Sequence, residues 1–343
     1  MQYLTVALDV MGGDNGPLVT IPAAKMALQQ MPYLKLILCG DKIAIEAHLK
    51  HHDLLNHSRI SIVHTTQIVD MDEKPSIALR SKKDSSMRVA INLVNDGKAD
   101  ACVSAGNTGA LLATAHYVLK MLPGINRPAL VSHLPIADSN RHALMLDLGA
   151  NVFVDSDTLF QFAVMGAVMV EEVEGIESPK VALLNMGSED IKGSDHIRQT
   201  AAMLEQTDGI NYVGFIEGND IFSGKVDVIV CDGFVGNVAL KTCEGVAKLV
   251  MSKVSKIINE NIFTRFLGGL LNPTLKKIVK RLNPDQYNGA SLIGLRGIVV
   301  KSHGNATSSA FYNAIAEAVK EVERQVPQKI HHKVEQTLLK RFQ

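Results

Sequence analysis

A chain of 343 residues with 46% apolar residues is long enough to bury a large α/β core, as one domain or two lobes. Its 35 basic and 35 acidic residues cancel, so no global attraction to nucleic acid exists, and 5% aromatics with no Trp give no base- or sugar-stacking surface. Four scattered cysteines (Cys39, Cys102, Cys231, Cys243) with no CxxC pair exclude a disulfide framework and a cysteine zinc site.

The opening "MQYLTVALDVMGG" lacks a basic leader and a cleavage site, and the longest apolar run, Phe160 to Val170, is too short to span a bilayer. A cytoplasmic protein is expected. In chain order, "YLTVALDV" is a predicted strand and Pro17 opens a helix. "LKLILCG" is the next strand, Asp41 caps the helix after it, and "RISIVH" is a third strand. Ser85 and Ser86 are placed to cap "MRVAINLVNDG"; "ADACVSAG" is then a strand, with a helix from Asn107. Strands "PALVSHLPI" and "HALMLDLG" precede a helix from Ser156 to about Glu174. "KVALLNMG", "INYVGFIEG" and "VDVIVCDG" are further strands, with helices between the first two and after the last. "RGIVVKSHG" and a helix to about Arg324 close the pattern. Near-continuous apolar strands separated by helices predict a single three-layer α/β/α domain over residues 1–326 with a largely parallel sheet. Residues 327–343 form a C-terminal tail without an assigned role.

The glycines organise the rest. "LDVMGGDNGP", "VSAGNTGALL", "LDLGANVFVDS", "LLNMGSEDIKGSD", "VCDGFVGNVAL" and "VKSHGNATSSA" each end a strand in a small-residue loop that opens a helix. In an open α/β sheet such loops meet at the carboxyl edge, where helix N–H groups favour anions. Each alone reads as turn chemistry; together they predict one polar site for an anionic substrate. None has dinucleotide spacing, and no G-x-x-x-x-G-K-[ST] or H-E-x-x-H occurs, so no cofactor and no metal are expected.

Gly12, Gly13 and Asp14 would shape a phosphate pocket. Ser104, Asn107 and Thr108 at a helix mouth either donate to phosphate or cap the helix. Lys192 either pairs with phosphate or an oxyanion, or is a solvated loop lysine; Asn237 is an oxyanion donor or a cap. Lys301 and His303 offer a cation and a donor beside them, and Cys231 at a strand end reads as a buried hydrophobe. Lys74, Arg80, Lys82 and Lys83 precede a helix and suit a phosphate or an acidic protein. From Leu240 to Pro284 nine basic and two acidic residues give +7, and "IFTRFLGGLL" within it exposes Arg265, Phe266, Leu267, Leu270 and Leu271 at a turn. That stretch reads as a protruding helical hairpin, about residues 240–285, docking on an anionic membrane or buried in a dimer.

The motifs "ALDVMGGDNGP", "MDEKPSIALRSKKDSSM", "SAGNTGALLA", "GINRPAL", "LDLGANV", "LLNMGSEDIKGSD", "GFIEGNDIFSGKVDVIVCDGFVGNVALK" and "GLRGIVVKSHGNA", in order from about residue 3 to about 325, resemble the bacterial acyl-[acyl carrier protein]:phosphate acyltransferases. The resemblance implies a fold similar to isocitrate/isopropylmalate dehydrogenases and phosphotransacetylase. It implies transfer of a fatty acyl group from acyl carrier protein to inorganic phosphate, without a nicotinamide. Acyl phosphate then supplies a downstream membrane acyltransferase in glycerophospholipid synthesis. The family implies a homodimer, peripherally attached to an anionic membrane surface. Lys192, Asn237 and His303 are the expected catalytic set, and Lys74 and Arg80 join the hairpin tip as carrier-protein or membrane contacts. The alternative is a phosphate acetyl- or butyryltransferase using acyl-CoA.

Overall fold

The computed structural model describes residues 3–137, 141–189, 191–258 and 288–341. The first apolar run is β1 (Leu4–Asp9), and Pro17 starts α1 (Pro17–Gln30) after the glycine loop. β2 (Leu34–Gly40) runs into Asp41, whose carboxylate accepts from the Ile43 and Ala44 N–H groups and starts α2 (Lys42–His51). β3 (Ile60–His64) follows. Pro75 then opens a short helix, α3 (Pro75–Ser81), within the basic segment, and Ser85 caps α4 (Ser86–Asn95) through the Arg88 N–H. Next come β4 (Ala101–Ser104), α5 (Thr108–Leu119), β5 (Ala129–Pro135) and β6 (His142–Leu146). α6 (Ser156–Met169) continues through a wider turn, Val170–Glu174, to Gly175 at φ 69°, the left-handed stop that glycine tolerates. β7 (Lys180–Leu184), α7 (Asp195–Glu205), β8 (Asn211–Ile216), β9 (Val228–Val230) and α8 (Gly233–Ile258) form the second half. β10 (Ala290–Ile293), β11 (Ile298–Lys301), α9 (Ser308–Glu323) and α10 (Val326–Arg341) return to the first.

The strands form one eleven-stranded sheet in the order β3-β2-β1-β4-β11-β10-β5-β6-β9-β7-β8. Side chains alternate between its faces, as the twofold repeat of a strand requires. Val6 and Leu8 of β1 pack beneath α1 and α9, whereas Ala7 faces α4 and α5. In the second half Val228 and Val230 face α6, while Ile229 joins the opposite face. Both faces are thus covered, which is the expected α/β/α layering. The segment from Val326 belongs to the same body: Val326, Ile330 and Val334 are buried in the core that α6 covers.

Seven of the ten strand pairings are parallel, and the three antiparallel ones (β11 with β10, β10 with β5, β5 with β6) sit together in the middle. Three reversals turn the strand direction over. β6, β9, β7 and β8 therefore run opposite to β1 to β4 and β11, so the carboxyl ends of the two halves lie at opposite edges. This corrects the expectation that all the glycine loops share one edge. The cause is the antiparallel pairing of β5 with β6; β10, a four-residue strand too short to read from periodicity, is antiparallel to both β11 and β5, so its two reversals cancel.

The expected hairpin falls mostly on residues 259–287, and Arg265, Phe266, Leu267, Leu270 and Leu271 lie outside the described residues. α8 leads towards it; beyond Leu240 its side chains are exposed or half-buried. No helix among the described residues is long and apolar enough to cross a membrane.

Candidate active site

Two loop clusters result. The first joins the ends of β1, β4 and β11. Asp9, at the end of β1, is buried and accepts from the Ser104 hydroxyl at 2.6 Å, and the Gly106 N–H donates to the same hydroxyl at 3.0 Å. The Gly12 N–H and Ser86 also favour its ionised form, but burial outweighs them and raises its pKa. A Cβ on Gly12 would lie 2.4 Å from Asp9 Oδ2, and one on Gly13, at φ +84°, would lie 2.8 Å from the Gly304 carbonyl. Only glycine lets this loop close over Asp9 and against the β11–α9 loop, where the Asp14 N–H donates to Gly304 O at 2.8 Å. Beneath lies a small recess lined by Gly12, Gly16, Thr20, Ala105, Gly304 and Phe311.

Lys301 sits at the centre of this cluster, 8% exposed. Its ammonium donates to the Ala105 carbonyl at 3.3 Å and to that of Ser302. Burial, helped by the nearby cation of Lys241, lowers its pKa to about 8 despite the attraction of Asp9 and Asp14. His303 follows; its N–H donates to Asn288 Oδ1 at 2.9 Å, and Asn288 in turn donates to Ser302 Oγ and Ala310 O, fixing the loop.

The polar residues at the mouth of α5 take structural places. Ser104 is fully buried and holds Asp9. Asn107 caps α5 by accepting from the Ala110 N–H, and its amide donates to the carbonyls of Met71 and Glu73 at 2.7 and 3.2 Å. It thereby ties down the segment before α3, whose Met71 methyl reaches Gly304. Thr108 is exposed in the first turn. Lys74 and Arg80 are exposed on α3, while Lys82 is tied to the Ile68 carbonyl and Glu73.

The second cluster joins the ends of β6, β7 and β9, and its organiser is Asp147. This buried carboxylate accepts from the N–H groups of Leu130, Gly149, Ala150 and Asn151 and from the Asn151 amide. Burial raises its pKa against those bonds. α8 is seated directly on this loop: a Cβ on Gly236 would fall 1.9 Å from the Asp147 carbonyl, and one on Gly233 2.3 Å from that of Asn151. A Cβ on Gly149, whose φ of +125° favours glycine, would meet the Asn237 side chain at 3.5 Å, ordinary van der Waals contact, which places Asn237 against this loop. Lys192 is exposed in the β7–α7 loop, where Asn185 bonds its carbonyl. Cys231 is buried, its thiol pushed far up by burial and by Asp147, and so is inert as expected.

α8 connects the clusters. It starts at the second and carries Lys241 near enough to the first for its cation to act on Lys301. Lys192 and Asn237 thus share one cluster, and Gly12, Gly13, Asp14, Lys301 and His303 the other. Asp147 and Lys241 were missed from the sequence. "LDLGANV" contained a signal for Asp147, an acid followed by small donors, but Lys241 lies eight residues into a helix with no local mark.

A family model described as "Fatty acid synthesis protein" matches residues 4–329. The phosphate acyltransferase of Colwellia psychrerythraea is 63% identical over 337 residues, covering 97% of each chain. That of Shewanella baltica is 56% identical over 339 residues, covering 99% of each. Among solved structures, a phosphotransacetylase from Streptococcus pyogenes superposes with a TM-score of 0.63 at 16% identity, over 95% of this chain and 94% of its own. A 4-hydroxythreonine-4-phosphate dehydrogenase from Klebsiella pneumoniae gives 0.50 at 15%, over 94% and 100%. These two share the fold, including the dehydrogenase-like layering expected from the motifs. With a family model spanning nearly the whole length and relatives above half identity, the chain belongs to the phosphate acyltransferase family and is an acyltransferase.

Proposed function

We propose that the chain transfers a fatty acyl group from the thioester of acyl carrier protein to inorganic phosphate. The products are acyl phosphate, for a downstream membrane acyltransferase, and free carrier protein. One arrangement supports this reading: α8 carries Asn237 against the Gly149 loop and, one turn on, Lys241 beside buried Lys301. Residues four apart on a helix share a face, with Cβ atoms about 5–6 Å apart. A phosphate held by Lys301, Lys241 and the backbone around Gly12 and Gly13 would face a thioester carbonyl at Asn237 and Lys192.

Positioning does the work, because phosphate is already a nucleophile. A phosphate oxygen bonds to the carbonyl carbon, whose oxygen becomes the tetrahedral oxyanion. The Asn237 amide and the Lys192 ammonium donate to that oxygen. Collapse breaks the C–S bond, and the thiolate leaves with the electron pair and takes a proton. His303 acts as a donor to the phosphate. Asp9 repels a dianion and acts by holding Lys301 charged.

The same proposal includes a homodimer, docking of the acidic carrier protein on Lys74 and Arg80, and contact of the basic 240–284 stretch with an anionic membrane. The test is incubation of the protein with palmitoyl carrier protein and labelled phosphate. Labelled, solvent-extractable acyl phosphate that hydroxylamine converts to a hydroxamate is the expected product. No product, or product from acetyl-CoA alone, refutes the proposal.

A further inference from the structure

Six large apolar side chains stand in water around Lys192 and Asn237. Val152 and Phe153, in the loop after β6, are 78% and 69% exposed; Met186 and Ile191, in the loop after β7, are 78% and 82% exposed. Phe234 and Val238, on the first turns of α8, are 63% and 50% exposed. The three segments are tied together. The Gly233 N–H donates to the Asn151 carbonyl at 2.9 Å, Asn237 seats on Gly149, and the Phe153 ring meets His196 of α7 edge-on with centroids 5.1 Å apart. None of the six belongs to a core cluster or packs against one. A patch of this kind, interleaved with polar donors, marks a binding surface.

We infer that these side chains cover the proximal methylenes of the substrate's acyl chain and select fatty acyl thioesters over acetyl. The inference rests on the acyl transfer proposed above. Its occupant follows from continuity: the hydrocarbon of an acyl thioester begins at the carbonyl carbon, and the rim begins at the two residues assigned to the carbonyl oxygen. Each methylene withdrawn from water is worth roughly fourfold in affinity. An acetyl group has no methylene to place there and gains nothing from the rim. Lys192 and Asn237 serve the reaction centre for every thioester, so the rim changes the response to chain length and leaves the chemical step alone.

The test compares the full-length protein with the Phe153→Ser, Ile191→Ser, Phe234→Ser triple variant on carrier-protein thioesters from acetyl to palmitoyl. Wild-type kcat/KM should rise with chain length, through KM. In the variant the slope should flatten, with a loss of about 60-fold at palmitoyl if cover over about three methylenes is removed. The loss should disappear at acetyl, which has no methylene to cover. Ile191→Ser alone, on an exposed loop, guards against misfolding and should cost about fourfold at palmitoyl. An equal loss at every length, or an unchanged slope, overturns the inference. An unchanged slope with an altered sedimentation coefficient assigns the rim to a second copy of the chain; an unchanged slope with weakened liposome binding assigns it to a bilayer. Wild-type protein inactive on every thioester refutes the proposed function, a result distinct from failure of the rim.

Discussion

Replacing Lys301 by arginine should remove a pH limb from the use of phosphate. Lys301 is 8% exposed and is surrounded by carbonyls, the Asp9 carboxylate and a second lysine. Burial lowers its pKa from 10.5 to about 8, a drop of about 2.5 units, or about 3 kcal/mol against the charged form. In the free protein the fraction carrying charge falls from about nine-tenths at pH 7 to about one-tenth at pH 9. Inorganic phosphate passes from monoanion to dianion near neutral pH, so the rates are referred to the dianion concentration, which removes its own ionisation from the profile. kcat/KM for phosphate, which reports groups of the free enzyme, should fall about tenfold between those pH values. Arginine stays charged throughout, so the Lys301→Arg variant should lack the limb even if its absolute rate is lower. Stability moves the other way. A lowered lysine pKa means that the unfolded chain holds the proton more tightly, so the penalty is fully present below about pH 8 and is relieved as pH rises towards 10.5. Measuring initial rates against phosphate concentration from pH 6.5 to 9.5 decides the matter. A Lys301→Arg variant that keeps the wild-type limb refutes the assignment of this lysine to phosphate.

Asn237→Ala and Lys192→Ala should each lower kcat by about 100-fold with palmitoyl carrier protein, the scale of a lost oxyanion donor; near-wild-type turnover removes that residue from the mechanism. Gly236→Ala forces a methyl onto the Asp147 carbonyl, 1.9 Å away, and should cost at least about 2 kcal/mol by thermal or urea unfolding. An unchanged Tm would show that the α8 seat yields. Glu321, fully buried on α9 and bonded to the Ser291 hydroxyl, has its pKa raised from 4.5 to about 8 by burial and by Glu317. Its contribution is fully present below about pH 4.5 and is lost as pH rises through about 8, so Glu321→Gln should stabilise the fold at pH 7 by up to about 3 kcal/mol. Equal pH dependence of unfolding in the two proteins counts against this.

The local grammar of the chain was legible without coordinates. Apolar runs marked ten of the eleven strands, and Asp41, Ser85 and Pro17 start helices because capping and proline chemistry act over a few residues. The glycines of "MGGDNG" and "CDGFVG" likewise declared close backbone approach, and the family motifs carried the acyltransferase assignment. Three things were decided only by the tertiary structure. The antiparallel pairing of β5 with β6 turns the sheet direction over, and β10, whose four residues gain their ladder only from β5 and β11, joins the two halves. That reversal separates loops that looked equivalent, since sequence shows that a strand ends in glycine but not which way it points. The side chain of Asn107 looked free to bind and is instead committed to Ala110, Met71 and Glu73, partners that lie up to 36 residues away. Finally, Lys241 acts on Lys301 across a long stretch of chain because the helix seated on the Asp147 loop carries it towards the first cluster.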